Sequence, residues 1–525
     1  MSSFFLNNLP MSESTNFWEL VVNSFGNVLK NDWHPPTYLF LLYISKIIFN
    51  SYLGGYFIGI VSVIITLLLI HKIIIFNGFL IKDVKIIVLL YLSYFSMPIV
   101  LNGSFIFDID NTILTPVILL MYLSYLRYLN EQNIKNTVLF IVSIVFSLWC
   151  KMSTPIFLLI SIILFHLISY EFKILIKKLL PIMLYGLLIF YLSYGILYTS
   201  VFLEKFGSFE LSYQRALYII SGIYTFQLTF NEFIFSVGSN ISALILWSSP
   251  LFIIIIPYLI IKFNQESTRR QKNFDKHYVV PLIFIIITTL MYTLIIKLQA
   301  SGGFPKYHYP IFSFIFIIIG FKIRNYRFDL KKYEFIYLAL SLLVFMFMIK
   351  DYLLRTYELG YDKDIFKFII YFLKINTILI VSLIIYFILE KFFKKESNNF
   401  LITSLLFLIV FNISSFVYRA KADYSTNYHY GVSGTRDALN YANQIALDKS
   451  IYFPFLGLFI KKNNDNYNFA NGRLYGTHRF IVNTDYLIIT DRLLYSDNFF
   501  FKSKYVEDNY KRIKTIKSYG VWGKN

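Results

Sequence analysis

Cysteine is nearly absent. Cys150 is the only one in 525 residues, which excludes intrachain disulfides and any CxxC metal knuckle. Charge is also scarce. Soluble domains carry about 25% charged residues, whereas here the figure is 15% against 57% hydrophobic side chains, too few to cover a water-facing surface. These shortages exclude a cytosolic enzyme, a disordered scaffold and a secreted disulfide module. The motifs of soluble catalysis are missing as well. The sequence has no phosphate loop ending in GK[ST], no HExxH and no GxSxG elbow. No internal repeat or low-complexity linker is evident. The 56 Phe and 43 Tyr read as composition bias, alongside abundant Ile, Lys and Asn, rather than as stacking sites. What the chain does have is long apolar runs, the arithmetic of a polytopic membrane protein.

A helix crossing about 30 Å of hydrocarbon needs roughly 20 mostly apolar residues. About 12 segments qualify: 53–76, 84–101, 112–128, 137–150, 154–170, 179–200, 241–262, 279–297, 305–321, 333–349, 366–389 and 399–417. Backbone groups in lipid must be bonded within the segment, so these are expected as helices.

The loops set the orientation. One alternating set, from Lys72 to Lys395, holds 21 Lys and Arg, while the other holds six: Lys151, Lys205, Arg215, Lys350, Arg355 and Lys363. Positive loops stay in the cytoplasm. That asymmetry accounts for most of the net charge of +19, so a nucleic-acid partner is discarded. Three units follow: 1–52 as a first extracytoplasmic loop, 53–417 as the bundle, and 418–525 as an extracytoplasmic domain. The chain would then begin outside with nothing to carry it there. An initial transmembrane helix upstream of Met1 is the expectation, giving 13 spans. The alternative is a short tail that translocates unaided.

After Tyr418 the texture changes and apolar stretches shorten to strand length, Ile451 to Phe455 and Tyr486 to Ile489. Thr435 and Asp437 start a helix with Leu439, Ala442, Ile445 and Ala446 on one face. The expected fold is therefore an all-α polytopic bundle carrying a small C-terminal α/β domain.

Unusual polar residues concentrate on the outer side. Asp32-Trp33-His34-Pro35-Pro36-Thr37-Tyr38 precedes the apolar run Leu39 to Phe49. That run is too short to span and is read as an interfacial helix. A plain proline helix start explains the prolines equally well. Asp108 and Asp110, two carboxylates beside a membrane face, are costly unless hydrated or paired. Acceptor positioning, a divalent metal and capping of the next helix by Asp110 are all open to them. Lys151 and Lys306 are outer cations, either functional or snorkelling to the headgroups. His34 and His308 could bind metal or phosphate, although a lone histidine is more often simply hydrogen-bonded.

With these residues in order, the chain resembles the GT-C membrane glycosyltransferases, in the branch of the protein O-mannosyltransferases and the lipid A aminoarabinose transferase. His34-Pro35-Pro36 resembles their first outer loop, and Asp108 to Thr115 their next acidic segment. Trp149 to Pro155 is similar to their lysine–proline turn, and Lys306-Tyr307-His308-Tyr309-Pro310 to a basic-Tyr-x-x-Pro pattern with shorter spacing. The likeness is clearest over 30–160, weaker around 300–320 and architectural elsewhere.

The resemblance implies a helical bundle with a lateral lipid cavity, a polyprenyl-phosphate sugar as donor and an extracytoplasmic acceptor. A carboxylate would act as general base, and cations would meet the leaving phosphate. Glu13, Asp32, Asp108 and Asp110 are the catalytic candidates. His34, Lys151, Arg215, Lys306, Tyr307 and His308 are the substrate-binding ones. No cofactor is implied beyond the divalent metal just mentioned. One departure stands out: the family's early acidic pair is missing before His34. Glu13 or Asp32 substitutes, or the pair lies upstream of Met1, or the protein is inactive. Competing functions are an O-antigen ligase or polymerase, which predicts arginine-rich outer loops, and a transporter, which predicts broken or ionisable mid-span segments. A membrane anchor for the C-terminal domain would not need 12 spans.

Overall fold

The computed structural model describes residues 35–49, 53–76, 81, 83–104, 108–206, 276–292, 306–324, 398–421, 434–445, 449–453, 484–490 and 503–525, with a few single positions between them. The expected spans 241–262, 333–349 and 366–389, and the loop 201–240, lie essentially outside these residues.

The chain opens with α1 (Thr37–Phe49) and α2 (Leu53–Ile74), followed by α3 (Val84–Ser96) and the short α4 (Pro98–Gly103). The single span expected over 84–101 is thus broken. Met97 takes an extended ψ of 132° ahead of Pro98, since proline's ring disfavours a helical residue before it. Next come α5 (Leu114–Asn130), α6 (Ile134–Cys150) and α7 (Ser153–Ile168). Asn133 caps α6 by accepting from the Asn136 amide at 2.8 Å, which fixes the tight turn after α5. Two short helical pieces, Phe172–Ile174 and Leu175–Leu179, lead into α8 (Leu180–Phe206), which runs six residues past the C-terminal end of the span expected over 179–200. The bundle continues with α9 (Lys276–Leu290), a 3-10 turn over Lys306–His308, α10 (Tyr309–Ile323) and α11 (Asn398–Lys421).

Among the described residues, three helical stretches are long and apolar enough to cross a membrane: Gly54–Ile74, Phe172–Tyr194 and Lys306–Ile323. Shorter apolar helices, among them Thr37–Phe49, Ile134–Cys150 and Ser153–Ile168, accompany them. α5 and α10 are buried almost all round, the signature of central helices. Small residues bring the helices together. Ser124 and Ser143 hydroxyls meet at 2.6 Å across α5 and α6. Gly59 of α2 lies so close to Ser104 that a Cβ would sit 1.8 Å from its carbonyl oxygen.

Near the C-terminus, α12 (Thr435–Ile445), β1 (Ile451–Tyr452), β2 (Tyr486–Thr490), α13 (Ser503–Asn509), β3 (Tyr510–Ile516) and β4 (Tyr519–Lys524) form a separate core. The sheet order is β1-β2-β4-β3, with β1 and β2 parallel and the other pairs antiparallel. Period-two alternation splits its apolar residues between two faces. Ile451, Ile488 and Val521 pack with Ala438, Leu439 and Ala442 of α12, while Leu487, Ile489 and Trp522 pack with Val506 of α13. The α12 helix and its buried face agree with the sequence pattern. The β3–β4 hairpin was not expected, because basic residues interrupt the apolar alternation of β3.

Candidate functional site

The turns leading into α5, α7 and α10 converge at one end of the bundle. The opposite polarity puts Arg127 and Lys322 in the last turns of α5 and α10, away from that end, as the loop charges require.

Asp108 and Asp110 stand in the turn before α5. The Asp110 amide donates to Asp108 Oδ1 at 3.1 Å, and the Thr112 hydroxyl donates to the Asp108 carbonyl at 2.6 Å. These local bonds hold the turn in shape. Asp110 is not a cap: the residue at that position is Ile113, with no side-chain bond to the helix. The capping reading is therefore overturned, because the Asp110 carboxylate is engaged elsewhere. It contacts the ammonium of Lys151, which ends α6. Lys306 Nζ, from the 3-10 turn before α10, donates to Asp108 Oδ2 at 2.9 Å.

The result is two carboxylates and two ammonium groups, each residue no more than 4% exposed. Snorkelling is overturned for both lysines, since neither reaches a water-facing surface. Aromatic rings complete the enclosure. Lys151 Nζ lies 4.5 Å and Lys306 Nζ 4.9 Å from the centroid of Tyr307, within cation–π range. Tyr292 stacks on Tyr307 at 5.4 Å and shares its hydroxyl with Ser153 and Thr154 at 2.9 and 2.7 Å. His308 packs edge-on against Tyr292 and bonds the backbone of Thr289, the ordinary satisfied state of a buried histidine. At the start of α1, the Thr37 hydroxyl donates to the Trp149 carbonyl at 2.8 Å, which ties the proline entry to the Lys151 turn. Tyr38 is buried near enough to Asp108 to feel its charge.

The two carboxyls are pushed in opposite directions. Burial drives Asp108 up, but Lys306, the Asp110 amide and Lys151 outweigh it and hold the carboxyl at about 2. Burial dominates at Asp110 and raises it above the ordinary carboxylate value, with Asp108 adding to the rise and Lys151 opposing it. Burial also disfavours the Lys151 ammonium, but Asp110, Tyr292 and Tyr307 outweigh that and keep it charged. Carboxyls separated in this way suit different tasks, one a permanent anion and the other a proton acceptor.

Of the sequence candidates, Asp108, Asp110, Lys151, Lys306 and Tyr307 come together, and His308 sits at their edge. Glu13, Asp32, His34 and Arg215 lie outside the described residues. Tyr292 escaped the sequence reading because a tyrosine inside an apolar span carries no local signal. Among the described residues, no three His, Cys, Asp or Glu side chains gather as metal ligands.

Comparison with known structures bears on the whole architecture. The chain superposes on the crystal structure of ArnT from Cupriavidus metallidurans bound to undecaprenyl phosphate with a TM-score of 0.60. The fold is that of ArnT. The apo state of the same protein gives 0.58, and in both cases the match covers 99% of this chain and 95% of the other at 9% identity. No family model matches the sequence, and no curated protein does. The resemblance first carried by short outer-loop motifs thus extends over the full length in three dimensions.

Proposed function

We propose that the protein is an integral-membrane glycosyltransferase that moves a sugar from a polyprenyl-phosphate donor to an extracytoplasmic acceptor, a lipid, glycan or protein. The observation that carries this reading is the buried Asp108–Lys306 and Asp110–Lys151 quartet at one end of a bundle with the ArnT fold. The undecaprenyl phosphate bound to ArnT supports a polyprenyl phosphate as the lipid partner here. The reading includes about 12 spans in a cell membrane, with the C-terminal domain outside.

The reaction forms a bond from the acceptor oxygen to the anomeric carbon and breaks the bond from that carbon to the phosphate oxygen. The phosphate leaves as a monoester with one more negative charge. The acceptor's hydroxyl proton goes to a carboxylate, and Asp110 is the one whose environment favours taking it. Protonated Asp110 no longer needs Lys151. The ammonium is then free to meet the charge arriving on the phosphate, so proton uptake and leaving-group stabilisation are coupled. Asp108 holds Lys306 in place, and Tyr307 lies under both ammonium groups. Glu13 and Asp32 are alternative bases under the same reading, with His34 and Arg215 as further phosphate ligands.

The test is transfer from labelled polyprenyl-phosphate sugars in membranes containing the protein. Asp110→Asn, Asp108→Asn and Lys306→Ala are each expected to lower transfer at least a hundredfold. Full activity in all three would remove the quartet from the site. Glu13→Gln and Asp32→Asn in the same assay decide whether the base lies in the first loop instead.

A further inference from the structure

Three polar groups in the same short segment have no hydrogen-bond partner. Asn111 is 1% exposed, and neither its amide nitrogen nor its oxygen is bonded. The Thr115 hydroxyl and the Asp110 Oδ2 are likewise buried and unbonded. Asp108 beside them is satisfied: it takes the Asp110 amide, the Thr112 hydroxyl and Lys306. Asn111 stands beside Gly103 of α4, where an added Cβ would lie 3.5 Å from the Asn111 Cβ and 2.7 Å from the ring of Tyr309. Tyr309 is only three residues beyond Lys306, so the unbonded groups adjoin the quartet.

A polar group buried without a partner is costly, and a cluster of them in a folded protein calls for a ligand or water. Their chemistry narrows the choice. The asparagine amide offers two donors and an acceptor, the threonine hydroxyl offers one of each kind, and the carboxylate oxygen only accepts. A phosphate presents acceptors and would be repelled by Asp110 Oδ2, and an isoprenoid chain presents neither donors nor acceptors. Hydroxyls both donate and accept.

We infer that Asn111, Thr115 and the second carboxylate oxygen of Asp110 form a cradle for the hydroxyl groups of the sugar being transferred to or from the site. This rests on the glycosyltransferase reading above, and it separates recognition of the sugar from recognition of the phosphate, which falls to the lysines.

The test uses the full chain in lipid nanodiscs, with Asn111→Leu, Thr115→Val and the hydroxyl-preserving Thr115→Ser. Thermal unfolding without ligand comes first. Apolar replacement of an unpaired buried group is expected to leave the melting temperature unchanged or raise it. A fall of several degrees in both Asn111→Leu and Thr115→Val would mean that the groups serve the fold, and would overturn the cradle. Binding of undecaprenyl phosphate and of undecaprenyl-phosphate-linked hexose and pentose follows. Affinity for the sugar-free lipid is expected to stay within twofold. Affinity for a sugar-bearing donor, or the KM for a sugar acceptor, is expected to weaken 10- to 100-fold in Asn111→Leu and Thr115→Val but not in Thr115→Ser. Loss on the donor or on the acceptor arm identifies which sugar is held. Equal loss on the sugar-free and sugar-bearing lipids, or no loss on any arm, rejects the cradle while leaving the glycosyltransferase reading in place. Wild-type protein that binds none of these lipids would remove both.

Discussion

Lys306 Nζ lies 2.9 Å from Asp108 Oδ2 although 198 residues separate them, and both side chains are buried. A contact of this kind couples the entry of α10 to the entry of α5. Breaking a buried ion pair from one side is costly, about 3–5 kcal/mol, because the other charge is left without a partner. Lys306→Met should therefore lower the melting temperature strongly in nanodiscs. Lys306→Met combined with Asp108→Leu should recover most of the loss while remaining inactive in sugar transfer. Additive losses in the double variant would mean that the two residues are not coupled.

The low pKa of Asp108 makes stability depend on acid. Its folded value of about 2 lies below the ordinary 3.8, so the ionised form is favoured by folding. The stabilisation is fully present above pH 3.8 and drains away as pH falls through 2. Denaturation midpoints measured between pH 6 and 2 should therefore decline at the acid end, and Asp108→Asn should flatten that decline.

Asp110 predicts a different limb. As a base it must be ionised, and burial raises its pKa above the usual carboxylate range. Transfer rates should fall on acidification through a pKa above 3.8, while Asp108 is still ionised. A pH–rate profile that stays level until Asp108 itself titrates would assign the base elsewhere.

Gly59 tests the packing that positions this end of the bundle. Any side chain there meets the Ser104 backbone, with a Cβ 1.8 Å from its oxygen, and backbone cannot rotate aside. Gly59→Ala should cost about 1–3 kcal/mol through overpacking, read as a lower melting temperature and an earlier loss of the monodisperse peak on heating. An unchanged melting temperature would mean that α2 and the Ser104 turn are not in contact.

The C-terminal core has its own clamp. Asp485 Oδ2 accepts from the Ser450 amide at 2.7 Å and from its hydroxyl at 2.8 Å, and this joins the starts of β1 and β2. Desolvation is the largest single influence and pushes the carboxyl up, but the two Ser450 bonds together with the charges of Lys449 and Lys524 outweigh it and hold the carboxyl below its ordinary value. Asp485→Ala should destabilise this domain by about 1–3 kcal/mol, seen as faster amide exchange in β1 and β2 with little change in the bundle helices. Unaltered exchange in β1 and β2 would discount the clamp.

By itself the sequence determined the class of the protein and the local elements that depend on neighbouring residues. Hydropathy placed the helices later found at Ile134–Cys150 and Ser153–Ile168 to within a few residues, because backbone bonding in lipid leaves an apolar run no other form. Helical spacing gave the buried face of α12. The turns holding Asp108, Lys151 and Lys306 stood out because charges are rare in that set of loops. Only the tertiary structure decided which charge meets which. The pairing of Asp108 with Lys306 and of Asp110 with Lys151, the stacking of Tyr292 on Tyr307 beside Lys151 and the unbonded amide of Asn111 all depend on how α5, α6, α9 and α10 pack. Periodicity is a property of nearby residues, whereas an ion pair across 198 positions is a property of the assembled bundle. The β3–β4 hairpin was hidden for a related reason. Its strands are held by cross-strand bonds and a shared core, so the basic residues of β3 conceal a pattern that only its partner completes.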